Sequence, residues 1–411
     1  MVKSIKTVKN ANKTCNFYQL TGGFHSDLKG EADMELSQRI LAYIDQHREE
    51  AYQLLLELAR IPSPSNHEEK RAAFCKEWLT RQGVQGVYID EALNVVCPIG
   101  PTDGPLTVFM AHSDVVFPDT DPLPLKVEDG LIKCPGVGDD TANVVALMTA
   151  AKFIAQEGLT PAQGGMLLVI NSGEEGLGNL KGSRKIMADF GSQVTEFVTL
   201  DGVDYGITTG AVGSKRYRIE VLTEGGHSYS KFGNRNAIAY LASLIDALYM
   251  VKVPEEGKTT YNVGLVKGGT SVNTIAQQAE MLYEFRSDRR ENLAMMEEHL
   301  MAAVAFFRTK GARINLELIG DRPCSGDVDP ARHKALMDRT AAAVLRHFGQ
   351  EAHFRTASTD CNIPLSLGIP SVGVSCYLGD GAHTREEYVR VDSLLPGLRL
   401  CFELILHAFP G

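Results

Sequence analysis

The stretch Leu106–Asp114, LTVFMAHSD, constrains this chain more than any other. An apolar run from Leu106 to Ala111 follows Gly104-Pro105 and ends abruptly in His112 and Asp114, with Pro118 beyond. Such a run between turn signals predicts a buried strand. The interior of a buried strand has no use for an imidazole or a carboxylate. Both therefore belong at its C-terminal tip, where open α/β sheets bind ligands. The pattern recurs: Gly138-Asp139-Asp140 before a helix, Glu174-Glu175 after Met166–Ile170, Asp201 after Glu196–Leu200, and His383 after Ser371–Cys376.

Taken in order, residues 1–33 are polar, rich in Lys and Asn and without a period, which predicts a poorly ordered extension. A helix is expected from Glu35 to Arg60, stopping before Ile61-Pro62-Ser63-Pro64, and a second from His67 to Arg81. Val87–Pro98 reads as a strand. Val144, Leu147, Met148, Ala151 and Ile154 mark a helix with Asp139 and Asp140 at its positive end. Nearly continuous apolar strands alternating with helices predict a largely parallel sheet covered on both faces.

At Gly213 the character changes. Tyr217, Ile219 and Val221 alternate with Arg216, Arg218 and Glu220, a strand with one solvated face. A helix at Arg235–Met250, strands at Tyr261–Lys267 and Ala279–Arg286, a helix at Glu291–Phe307 and a strand at Arg313–Ile319 follow. This β-α-β-β-α-β order is the ferredoxin-like pattern. The expected organisation is a larger α/β domain of residues 34–212 and 326–411 with a compact α+β domain inserted at 213–325; the resemblance described below implies a catalytic role for the first and a lid or dimerisation role for the second.

The formal charge of −10 argues against a nucleic-acid partner, which needs a basic face. No stretch approaches the ~20 apolar residues of a membrane span. The eight cysteines show no CxxC spacing, which points to reduced thiols and a cytoplasmic location.

Each polar tip has an ordinary explanation alone: a hydrogen-bonded turn, a helix cap, a solvated acid pair. Together they behave differently, because a parallel sheet gathers its tips along one edge. Six acids and two histidines cannot converge there without a cation to balance them. Imidazole and carboxylate without cysteine suit zinc or a similar divalent ion in a hydrolytic site, and the donor count suits a pair of metals.

The ordered motifs HSD, GVGDD, NSGEEG, LDG and AHT resemble the co-catalytic zinc metallopeptidase and amidohydrolase family, which includes peptidase T, glutamate carboxypeptidase, acetylornithine deacetylase and succinyl-diaminopimelate desuccinylase. The resemblance runs from Glu35 to Pro410. It implies His112, Asp139 and Asp201 on one metal, with Asp139 bridging to a second metal on Glu175 and His383. It further implies Asp114 as hydrogen-bond partner of the other His112 nitrogen, and Glu174 as general base for the metal-bridging water. Gly225-Gly226-His227-Ser228 resembles the family's lid motif, whose histidine stabilises the oxyanion, often in the partner subunit's site. Asn273 and Arg286 match substrate-binding positions, Arg286 for a carboxylate. Where many relatives carry lysine two residues after the bridging aspartate, this chain has Thr141.

The resemblance implies two divalent ions, zinc first, with manganese or cobalt as alternatives. The expected function is amide hydrolysis by an exopeptidase acting on short peptides, with deacylation of N-acyl amino acids as the alternative. A reading of another class is an inactive binding protein on the same fold. Edge strands in the insert make a homodimer the expected assembly.

Overall fold

A computed structural model describes residues 36–410. The extension expected at residues 1–33 lies outside them. The described residues belong to one compact unit. None of their helices is long and apolar enough to cross a membrane.

The first helix, α1 (Gln38–Ala59), starts where the Ser37 hydroxyl accepts the Ile40 amide and buries Ile44, Leu54, Leu55 and Leu58 along one face. Helix α2 (Glu69–Arg81) follows the proline-interrupted segment. The single strand expected at Val87–Pro98 is two, β1 (Tyr88–Ile89) and β2 (Val95–Ile99). The Asp90 carboxylate accepts the Ala92 and Asn94 amides and closes a tight turn between them, with Leu93 in the left-handed region.

Next come β3 (Leu106–His112), α3 (Asn143–Glu157), β4 (Gly165–Asn171), α4 (Lys181–Phe190), β5 (Val194–Leu200) and β6 (Gly206–Ala211). The insert supplies β7 (Gly213–Leu222), α5 (Ala237–Tyr249), β8 (Thr259–Gly268), β9 (Gln278–Ser287), α6 (Arg290–Thr309) and β10 (Arg313–Arg322). The chain closes with α7 (Pro330–Phe348), β11 (His353–Ala357), β12 (Ser371–Val374) and α8 (Val391–Leu406).

The main sheet has eight strands in the order β1-β2-β4-β3-β5-β12-β6-β11. Its centre is parallel: β3 pairs in parallel with both β4 and β5, and β5 with β12. Three junctions depart from the parallel expectation, since β1 against β2, β2 against β4 and β12 against β6 are antiparallel. Strands β6 and β11 were not legible, because GITTGA and HFRTA are short and carry no apolar run or alternation.

Both faces of this sheet are covered. Phe109 and Ala111 of β3 join the core formed with α1, α3 and α8, while Leu106, Val108 and Met110 join a second core on the opposite face. Burying each such side chain contributes roughly 1.5–3 kcal/mol. That stabilisation fixes the register and so the height of each strand tip.

The insert's four strands are antiparallel in the order β8-β9-β7-β10, the ferredoxin-like arrangement. Tyr217, Ile219, Val221, Met281, Tyr283 and Phe285 face α5 and α6 in a core of their own. The alternate residues, including Ser214, Arg216 and Arg286, therefore lie on the face away from those helices.

Candidate metal centre

Parallel pairing sets His112 on β3 abreast of Asn171 on β4, and the Asp201 amide donates to the Val374 carbonyl of β12. Loops leaving the carboxyl ends of β3, β4 and β5 thus start at one edge of the sheet. Asp139 and Asp140 reach the same edge from the turn Val137–Ala142 that precedes α3, where they are joined by a cis peptide bond. Gly138 is required in that turn, because a Cβ there would lie 2.5 Å from the Tyr377 hydroxyl.

The structure brings His112, Asp139, Asp140 and Asp201 together, with candidate donor atoms within 4.8 Å of one another. Asp139, Glu175 and His383 form a second such group. Asp139 belongs to both: its Oδ1 lies 3.0 Å from His112 Nε2 and its Oδ2 3.1 Å from His383 Nε2. His383 Nε2 is also 2.8 Å from Glu175 Oε1.

The other nitrogen of His112, Nδ1, lies 3.0 Å from the backbone carbonyl of Asp114. A proton on Nδ1 donated to that carbonyl leaves the Nε2 lone pair facing Asp139. Here the geometry corrects the expected role of Asp114. Its carboxylate stays 3.6 Å from the imidazole and instead accepts the Glu174 amide at 3.0 Å, the Glu175 amide at 2.9 Å and the Ser65 hydroxyl at 2.7 Å. Asp114 orders the loop that presents Glu174 and Glu175.

The electrostatics of this cluster favour positive charge. Burial pushes the carboxyls of Glu175 and Asp201 up to about 7 each, and that of Asp140 well above its ordinary value. Among the described residues nothing donates a hydrogen bond to the Asp201 side chain, although its carboxylate sits beside Asp139. Hydrogen bonds to Asp139 and Glu175 push His383 up to about 11. Burial alone would lower the His112 imidazole, but Asp140, Asp139 and Asp114 outweigh it and raise it. Burial likewise works against the charged Asp139, whose hydrogen bonds with His112 and His383 nevertheless hold it below the carboxylate range. Protons on histidine are the balancing charge that divalent ions would replace.

A sign follows for stability. Glu175 and Asp201, raised to about 7, keep protons in the folded chain that the unfolded chain releases above its ordinary carboxyl values, so metal-free stability falls as pH rises through that window. His383, raised to about 11, extends the loss above the ordinary imidazole value. Metal binding displaces these protons, so its stabilising effect grows with pH. The rise in Tm on adding excess zinc is expected to be larger at pH 8 than at pH 6. Equal increments would contradict this proton balance.

Glu174 lies with His112 and Glu175 in a third group of candidate donor atoms within 4.8 Å of one another, and it is bonded by Arg322 of β10. Arg322 Nη1 donates to Glu174 Oε1 at 3.1 Å and to Ser358 Oγ at 3.1 Å, and its Nη2 donates to the Glu174 carbonyl. A cavity of about 470 Å³ opens here, lined among others by Asp139, Glu174, Glu175, Asp201 and His383. Arg216, Arg286, Arg322 and Arg355 also line it.

The remaining expected residues divide. Arg286 reaches the cavity wall, where it donates to Glu284 at 3.2 and 3.1 Å. His227 and Asn273 do not line this cavity. They lie together at the ribbon that pairs Gly226–His227 with Thr274–Ile275, where the Asn273 carbonyl accepts the Ser228 amide, and both are exposed.

Two supports carry almost no signal in the sequence. Glu387 accepts the amides of Gly136, Gly138 and Asp139 at 2.7–2.8 Å and so fixes the turn that carries Asp139. Only its place four residues after His383 hints at a role. Arg71, fully buried in α2, donates to the Ser113 carbonyl and the Thr141 hydroxyl, each at 3.0 Å. Arg71 thus ties Thr141, the residue two positions after Asp139, to the backbone that follows His112.

The sequence profile of peptidase family M20/M25/M40 matches residues 108–407. The protein YqjE of Bacillus subtilis is 25% identical over 375 residues, covering 86% of this chain and 96% of that protein. A succinyl-diaminopimelate desuccinylase of Nitrosomonas eutropha is 29% identical over 205 residues, 45% of this chain and 53% of the enzyme. The crystal structure of a Staphylococcus aureus tripeptidase superposes with a TM-score of 0.71 at 22% identity, covering 88% of this chain and 98% of that one.

Proposed function

The chain belongs to peptidase family M20/M25/M40, and from that membership we propose that it is an exopeptidase cleaving short peptides at a dinuclear metal centre. The observation that carries this reading is Asp139, whose two carboxylate oxygens face two separate histidine and carboxylate sets at the floor of one cavity. His112, Asp139 and Asp201 would hold one metal, with Asp139, Glu175 and His383 holding the other. All donors are nitrogen or oxygen, which suits zinc and also admits manganese or cobalt. When bound, a pair of divalent ions lowers the pKa of water and polarises the scissile carbonyl.

The chain's own groups do the rest. Glu174 removes a proton from the attacking water and passes it to the departing amine, the two transfers that amide hydrolysis requires. Arg322 keeps Glu174 oriented, and Asp114 fixes the loop beneath it. Arg286 binds a substrate carboxylate, a task suited to a planar guanidinium. A cavity of about 470 Å³ suits a ligand the size of a short peptide.

The same reading keeps residues 34–212 with 326–411 as the catalytic domain and 213–325 as a lid, supported by the insert's separate core. It includes a homodimer, supported by the free sides of β8 and β10 at the edges of the insert's sheet. In that assembly the exposed His227 and Asn273 serve the partner copy's site. Seven buried free cysteines among the described residues support a reducing, cytoplasmic setting. Nothing supports the inactive alternative, since every metal-ligand position and Glu174 are filled.

The test is a panel of free-amino dipeptides, tripeptides and N-acetyl amino acids with zinc-loaded protein. Faster release from peptides is expected. Faster release from N-acetyl amino acids would make the protein a deacylase, the second reading, which the desuccinylase similarity favours.

A further inference from the structure

Resting on the dinuclear reading above, we propose that Arg385 and Asp119 form a latch that positions His383, and through it the ion that Asp139, Glu175 and His383 would hold. His383 stands on a hairpin. The short strands Gly379–Asp380 and Tyr388–Arg390 pair antiparallel, and residues 381–387 connect them. Within this loop the Thr384 amide and hydroxyl both donate to the Gly381 carbonyl, closing a tight turn that holds His383 in the left-handed region at φ 65°. A residue with a Cβ is strained there and keeps that conformation only where its surroundings impose it. The two histidines of the centre differ in this respect. The side chain of His112 is 1% exposed at a strand tip, whereas that of His383 is 57% exposed. Packing fixes the first and leaves the second to its loop.

That loop has few anchors. From Asp380 to Glu386, among the described residues, only His383 and Arg385 make side-chain bonds to other parts of the chain. The His383 contacts go to Glu175 and Asp139, the proposed donors, so Arg385 is the remaining tie. Its Nη1 donates to Asp119 Oδ1 at 3.0 Å and its Nη2 to Asp119 Oδ2 at 2.6 Å, while its guanidinium carbon lies 4.5 Å from the centre of the Phe117 ring. Two parallel bonds and an aromatic face fix a guanidinium in direction as well as in place.

The far end of the latch is firm. Phe117 is buried, the Val115 amide donates to the Ser63 carbonyl, and the Leu123 amide donates to the Arg60 carbonyl. Val116 of this segment lines the same cavity as His383, so the latch joins two segments that both reach it. A plainer reading is an ordinary surface ion pair, since the Arg385 and Asp119 side chains are 47% and 30% exposed. Such a pair contributes little to stability and would leave metal binding untouched. The bidentate geometry and the scarcity of other anchors on the loop favour the latch.

The experiment is calorimetric titration of the metal-free full chain with zinc, comparing the parent with Asp119→Asn, Arg385→Gln and the double variant. In each single variant one of the two ions is expected to bind about 10–100-fold more weakly, the loss typical of removing a group that orients a ligand. The other ion should bind as in the parent. The double variant should lose no more than either single one, because both changes break the same link. The metal-free Tm should fall by no more than about 2–4 °C, as for an exposed pair. Parental affinity for both ions in both single variants, equal weakening of both ions, or a larger fall in the metal-free Tm would overturn the proposal.

Hydrogen exchange of the metal-free chains decides the matter without zinc. Amides of residues 380–386 should exchange faster in both single variants than in the parent, with those of α8 unchanged. Parental exchange in the loop overturns the latch. If the parent binds no zinc, the dinuclear reading fails, and the exchange rates still accept or reject the latch on their own.

Discussion

Glu174→Ala is expected to lower turnover by roughly 10²–10⁴-fold while leaving metal content unchanged. In the proposed mechanism the residue moves the proton, and no other carboxylate is placed to replace it. Asp114 is engaged by two amides and a hydroxyl, and Glu175 by His383. Metal should remain, because the donor sets centred on Asp139 lie outside the substitution. The fold should hold as well: Arg322 keeps its bonds to Ser358 and to the backbone carbonyl of residue 174. Steady-state kinetics with elemental analysis of the same sample provides the check. A variant that keeps metal and hydrolyses at the parental rate would remove Glu174 from the mechanism.

Asp139→Ala should be more damaging still. One side chain stands between both donor sets; Asp140 is occupied by the His112 amide and the Asn143 side chain, so loss of Asp139 leaves His112 with Asp201 on one side and Glu175 with His383 on the other. Neither remainder has the three protein donors that hold a catalytic zinc ion. Both ions are expected to go together, and activity with them. The loss should exceed the roughly 10–100-fold typical of removing a group that only orients a ligand. Glu175→Ala makes the comparison sharp, because it touches one set alone. That variant should retain about one ion of the two, by the same three-donor argument.

Much of this arrangement was legible from residues 106–114 onward. A buried apolar strand that ends in His-x-Asp can place those groups only at its tip, and parallel pairing brings the tips of β3, β4 and β5 to one edge. The insert was legible because its alternation of polar and apolar residues at Tyr217–Val221 differs from the continuous apolar strands before it.

What stayed hidden depends on contacts that no local pattern encodes. Nothing around Asp114 says that its carboxylate will accept two amides from a loop sixty residues away rather than bond the neighbouring imidazole. Glu387 looks like one acid of a charged surface run, yet it gathers three amides from a turn some 250 residues earlier. Arg322 closes a strand as many surface arginines do. Its value comes from the packing of the insert against the Glu174 loop, a relation set by tertiary structure alone.

In the proposed centre, residues far apart in sequence would hold two cations around one aspartate. The most direct measurement is the zinc content of the dialysed full-length protein, parent and Asp139→Ala side by side. Two ions per chain in the parent and loss of both in the variant are the predicted result. A parent that binds no divalent metal, or a variant that still holds two ions, would contradict it.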